Sequence, residues 1–132
     1  TAIRAGETDG NDNTVAEPDW LPLVVTPPHP EYPAAHGTFT GGYATFLRMF
    51  FGTKNVHITL TSTAVATPRT FDNTDDLIKE IIDARIFGGM HYRTSGEDGI
   101  LVGKKVAKWV AKHYFRPVHW EGRECDDDDD DE

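Results

Sequence analysis

The sequence predicts an all-α protein: a partial helical bundle of about three main helices with a long irregular N-terminal arm. Three observations lead there. Apolar residues recur at helical spacing in three stretches, after Ala34, after Thr74 and from about Asp98 to Phe115. Prolines at 18, 22, 27, 28 and 30 forbid long helices before the first of these. The β-branched stretch from Asn55 to Pro68 reads as an extended segment with at most a short strand, too isolated to make a sheet. A chain of 132 residues suits one core. It divides into an arm (1–32), a helical domain (33–120) and an acidic tail (121–132).

The arm opens with turn chemistry, GETDGNDN from Gly6 to Asn13. Trp20, Leu21, Leu23, Val24 and Val25 are its means of anchoring on the core. The first helix begins at about Ala34. Phe39, Tyr43, Phe46, Leu47 and Phe50 share one of its faces, and Gly52 is its stop. Asn73 or Thr74 caps the second helix, and Asp75 and Asp76 suit the positive end of its dipole. Leu77, Ile78, Ile81 and Ile82 form its buried stripe. The next position on that stripe is Arg85. An unpaired buried charge is very costly, so Arg85 needs an anionic partner, either an internal carboxylate or an anionic ligand. Both readings stay open at this point.

Gly88 to Gly99 is glycine-rich, with His91 in its middle. The third helix, from about Asp98 to Phe115, sets Leu101, Val102, Val106, Trp109, Val110 and Ala111 against a solvated face of Lys104, Lys105, Lys108 and Lys112. Arg116-Pro117 ends it.

Charge and cysteine content exclude several classes. Of the net charge of −9, the run Asp126 to Glu132 carries −7 and the body only −2. The acidity belongs to a self-repelling, disordered tail and argues against nucleic-acid binding. The single cysteine, Cys125, rules out an intrachain disulfide and a multi-thiolate zinc site. No run of 18 apolar residues predicts a membrane span. There is no targeting segment in the chain, and its start without Met favours processing or excision from something longer. The compartment is left open.

The joint Pro33-Ala-Ala-His-Gly37 carries the chemical argument. A helix N-terminus presents free N–H groups to an anion, and His36 sits there as a proton donor. Arg85 and His91, six apart, run from a helix end into a glycine turn. A lone histidine is more often structural. Two histidines, one arginine on an apolar face and one helix N-terminus together can form an oxyanion pocket.

His29 to His36, HPEYPAAH, resembles the proline-serine-glycine-histidine motif, with its upstream segment, of the vanadium-dependent haloperoxidases and the related type 2 phosphatidic acid phosphatase superfamily. Ala84 to His91, ARIFGGMH, resembles that group's serine-arginine, five residues, histidine motif. The resemblance runs from Thr26 to Phe115 and covers the C-terminal half of such proteins. It implies vanadate as cofactor, for which phosphate can substitute, with hydrogen peroxide and halide as substrates. By resemblance, His91 bonds vanadium, or attacks phosphorus in a phosphatase. Arg85 holds the equatorial oxygens and His36 is the acid–base residue at the apical one. The Ala35 N–H takes the place of the motif glycine's, and Ala34 stands at the motif serine.

The departures shape the expectation. Ala34 and Ala84 replace serines, and Ser95 stands where phosphatases carry aspartate, with Asp98 further on. The family's lysine, followed seven residues later by arginine-proline, has no counterpart, since Trp109 precedes Arg116-Pro117 at that spacing. The implied protein is a truncated or processed haloperoxidase-like domain, weak or inactive alone. A homo-oligomer or partner chain would cover its exposed apolar faces. With its pocket completed it would oxidise halide with hydrogen peroxide at histidine-bound vanadate. The alternatives are phosphomonoester hydrolysis through a phosphohistidine, or a non-catalytic binding or storage protein on the same scaffold.

Overall fold

Local rules set the helix ends. In the computed structural model, which describes residues 2–63 and 65–114, helix α1 spans Ala35–Phe51 and stops at Gly52, whose φ of +68° suits a residue without Cβ. Helix α2 spans Thr74–Phe87, and the Asn73 side chain accepts from the Asp75 and Asp76 N–H groups, the expected cap. Helix α3 spans Arg93–His113. The fold is mostly helical, as the sequence predicts, with a further 3-10 helix at Ile3–Thr8 in the arm. The expected helix end at Phe115, Arg116-Pro117, Cys125 and the acidic tail lie outside the described residues.

Two expectations need correction. A small sheet does form: β1 (Ile58–Leu60) pairs antiparallel with β2 (Arg69–Phe71), Ile58 opposite Phe71 and Leu60 opposite Arg69. A three-residue strand between Pro68 and a helix cap carries no periodic signal. Burial stabilises it, since Ile58 and Phe71 join Leu77 of α2 in the core, flanked by Leu47, Val56 and Ile81. Helix α3 also begins five residues before the expected Asp98, taking in Gly96 and Gly99. These glycines read as turn residues, yet they lie where α1 crosses α3, and packing overrides their poor helix propensity.

That crossing is the centre of the molecule. The buried residues of α1 are Gly37, Thr40, Gly41, Ala44 and Thr45, and those of α3 are Ser95, Gly96, Gly99, Ile100 and Gly103. A Cβ on Gly41 would fall 2.5 Å from the Ile100 carbonyl oxygen, and one on Gly103 would overlap the Thr38 carbonyl oxygen. The helices therefore meet backbone to backbone. The aromatic stripe of α1 faces away, with Phe39 and Phe50 74% and 71% exposed. Leu101, Val102, Val106 and Trp109 of α3 are exposed as well.

Helix α2 is tied to α1 by Arg48, which donates to Thr74 Oγ1 and to the Asp75 carboxylate, both at 2.6 Å. The arm is held by backbone more than by its aliphatic run. Glu17 N–H donates to the Ile3 carbonyl at 3.0 Å, Arg4 Nε to the Trp20 carbonyl at 2.8 Å and Val24 N–H to the Gly88 carbonyl at 3.4 Å. Trp20 and Pro22 close over Gly89, but Leu21, Leu23, Val24 and Val25 are exposed.

Candidate oxyanion site

The close helix seam runs out at its N-terminal end into the residues that carry chemistry. Gly37 lies against Gly96, so their chain neighbours His36 and Ser95 are brought to the same end of the α1–α3 pair. Ala34 is extended and its N–H donates to the Ser95 carbonyl at 3.0 Å, so Ala34 itself has no donor to offer. The first turn of α1, starting at Ala35, has no side-chain cap and no acidic residue. An anion is the natural complement of such a terminus.

The turn after α2 places His91. The Arg85 carbonyl accepts from Met90 N–H at 3.0 Å and from His91 N–H at 3.4 Å, and Gly89 takes a φ of +75° between them. The His91 side chain is only 2% exposed. Its Nδ1 lies 2.9 Å from the Glu31 carbonyl oxygen, an acceptor only, so Nδ1 carries the proton and donates it. In the neutral ring the lone pair is then on Nε2, which is buried without a hydrogen-bond partner.

Arg85 completes the arrangement. Its Nε and Nη2 atoms are buried and unpartnered, and none of the ion pairs among the described residues includes it. The internal carboxylate that could have explained Arg85 is therefore not found there. Burial lowers the pKa of its guanidinium. The His36 pKa is held below its ordinary 6.5, first by burial and then by Arg85, His91 and His29, so His36 is neutral at pH 7. His36, Arg85 and His91 are thus brought together, beside the Ala34–Ala35 helix start.

Two residues join them, His29 and Ser95, to which the sequence assigned no role at the site. His29 stacks on His91 with ring centroids 5.7 Å apart and lies 6.4 Å from His36. Ring nitrogens of His29, His36 and His91 all lie within 4.8 Å of one another. The signal was present, a second histidine seven residues before His36 in a proline-stiffened segment. Ser95 Oγ donates to the Glu31 carbonyl at 2.6 Å, the same oxygen that receives His91 Nδ1–H. Asp98 accepts from the Tyr32 hydroxyl at 2.9 Å, so it does not stand in for the phosphatase aspartate at His91. Clefts of about 580 and 510 Å³ flank the cluster. The first is lined by Trp20, Pro27, His29, Met90 and His91, the second by His36, Phe39, Tyr43, Leu60 and Leu77.

This donor set fits an oxyanion of a metal that accepts nitrogen. The guanidinium and the uncapped helix start address oxygens, while the orphaned Nε2 lone pair addresses an electron-poor centre. Arg85 disfavours a bare cation in the same place.

Residues 1–120 match the family model of the VCPO (vanadium chloroperoxidase) second helical-bundle domain, and the chain belongs to that family. Among solved structures it is similar to the crystal structure of "the first bacterial vanadium dependant iodoperoxidase", at 28% identity and a TM-score of 0.65. That match covers 72% of this chain and 23% of the iodoperoxidase, so the chain spans about a quarter of that protein's length. Comparison with curated proteins gave no match.

Proposed function

We propose that this domain holds vanadate at His91 and serves the oxidation of halide by hydrogen peroxide. The observation that carries the reading is a set of buried, unpartnered nitrogens, His91 Nε2 with Nε and Nη2 of Arg85. Buried polar atoms are nearly always satisfied, and orphans of this kind call for a missing partner. Membership of the VCPO domain family and the likeness to an iodoperoxidase support halide over phosphate ester as the substrate class.

In the proposed site His91 Nε2 would be the ligand to vanadium, and Arg85 with the Ala35 N–H would hold its oxygens. Bound vanadate supplies Lewis-acid activation of hydrogen peroxide. Halide, hydrogen peroxide and one proton give hypohalous acid and water, the halide losing two electrons and the O–O bond gaining them. His36, neutral at pH 7 and open to solvent on one side, takes up and delivers that proton. The exposed aromatic face of α1 is suited to cover by a second copy or a partner chain in the working assembly. No helix among the described residues is long and apolar enough to cross a membrane.

The test is a vanadate titration followed by vanadium NMR. A bound signal that disappears in both His91→Ala and Arg85→Met is the expected result, and binding unaffected by either substitution sinks the reading. Halide oxidation is then assayed with peroxide, beside a chromogenic phosphate ester. Ester turnover without halide oxidation would favour a phosphatase. Vanadate binding without either activity is expected of a domain that spans about a quarter of the iodoperoxidase, and a binding or storage role would be favoured only if supplying the family's lysine and arginine-proline segment in trans also failed to start halide oxidation.

A further inference from the structure

The resting tautomer of His91 is set by one residue of the arm, and we propose that the Glu31 carboxylate is the positioning group that aims His91 Nε2 and enriches it as a ligand. Glu31 presents two acceptors to the same nitrogen. Its carbonyl oxygen lies 2.9 Å from His91 Nδ1 and its Oε1 lies 3.4 Å away. Both require a proton on Nδ1, so both exclude the tautomer that would block Nε2. The carbonyl alone would set the tautomer. The carboxylate adds negative charge at the ring edge opposite Nε2, which strengthens that nitrogen as an electron donor.

The carboxylate is itself fixed. Glu31 Oε1 accepts from Tyr92 N–H at 3.0 Å, at the start of α3, where the helix dipole favours a negative group. The carbonyl is fixed too, by Ser95 Oγ at 2.6 Å. Glu31 is therefore bound through both of its acceptors to the His91–Ser95 segment, across some 60 residues of sequence. Its side chain is 40% exposed, so solvent weakens the charge without removing it.

The simpler role would be capping. Helix α3 lacks a side-chain cap from Tyr92, and Glu31 could merely satisfy that end. Glu31→Gln separates the two, because it keeps an oxygen acceptor for Tyr92 N–H and nearly the same volume while removing the charge. A capping role leaves Gln silent at His91.

The inference rests on the vanadate reading only for its ligand arm. The first measurement is nitrogen-15 NMR of the imidazoles in the unliganded whole chain. Wild type should show His91 protonated at Nδ1, with a slowly exchanging downfield proton, and Glu31→Gln should move that proton upfield while the thermal midpoint stays close to wild type. A wild-type His91 protonated at Nε2 overturns the proposal without any variant. So does a Glu31→Gln spectrum identical to wild type at His91. Glu31→Asp, which keeps the charge but withdraws it by one methylene, should shift the same proton in the same direction and serves if the Gln variant does not fold. The second measurement is vanadate affinity, which should fall roughly tenfold in Glu31→Gln, the usual scale for partners of a ligating histidine. If wild type binds no vanadate, the functional reading fails while the spectra still decide the role of Glu31.

Discussion

Helix α1 has two faces built on opposite principles. One carries Gly37, Thr40, Gly41, Ala44 and Thr45 and is buried against α3 at backbone contact. The other carries Phe39, Tyr43, Phe46 and Phe50 and is left to solvent, where Phe39 stacks on Tyr43 and Phe46 on Phe50. Hydrophobic content would have ranked them the other way. Side-chain size decides instead: small residues let two helices approach until their carbonyls and glycines touch, and large ones hold a neighbour at a distance this domain's own helices do not occupy. The seam also orders the chemistry. Its Gly37–Gly96 end adjoins His36 and Ser95, while its Gly103 end is remote from them.

The comparison can be broken most forcefully in the seam. Gly37→Ala and Gly103→Ala should each cost about 3 kcal/mol, the upper range for overpacking, because the obstructing atoms are backbone and cannot turn aside. Urea unfolding measures this. Of the two, only Gly37→Ala should also weaken vanadate binding, since it separates α1 from α3 beside His36. Equal affinities in both variants would detach the seam from the site.

Next in size is Arg85→Met. Nε and Nη2 of Arg85, buried without a partner, destabilise the chain, and an apolar side chain of similar length should raise stability by about 1–3 kcal/mol while eliminating oxyanion binding. A less stable Arg85→Met chain would mean that Arg85 has a structural partner after all.

A pH scan sharpens the picture further. The folded pKa of His36 is depressed, so the unfolded chain binds more protons as pH falls through 6.5, and folding stability is lost in that direction. His36→Gln should flatten the dependence just below pH 6.5, as followed by urea midpoints. An unchanged slope would place the titration elsewhere.

On the open face, Phe46→Ser or Phe50→Ser should move unfolding free energy by no more than about 0.5 kcal/mol. A larger loss would show that the aromatic stripe is packed in solution.

Much of this molecule was legible from local rules. Asn73 as a cap, Gly52 as a stop and Arg85 on an apolar stripe each follow from a few neighbouring residues, and all three stand as read. The rest depended on distant partners. Gly96 and Gly99 look like turn residues until α1 is laid across them. Arg69–Phe71 becomes a strand only because Ile58 and Leu77 offer Phe71 a core. The aromatic stripe is real as a pattern, but no pattern tells whether the neighbour it implies belongs to the same helices. At the site, His36, Arg85 and His91 could be named from spacing and resemblance. Glu31 could not, because its acceptors reach their partners across some 60 residues and one of them is a main-chain carbonyl.

The burial of His91 Nε2 has a kinetic consequence. A nitrogen without exposed surface meets a solute only while its surroundings open, and the His29 ring, stacked on His91, belongs to the arm. The arm touches the α2–α3 turn through a handful of hydrogen bonds, among them Val24 to Gly88 and Tyr92 to Glu31, the kind of contact that breaks in local opening long before the helices separate. Oxyanion uptake should then follow gated rather than collisional kinetics. Its observed rate would level off with rising vanadate at the frequency of arm opening, and hydrogen exchange at Tyr92 N–H would report that same frequency in the absence of any ligand.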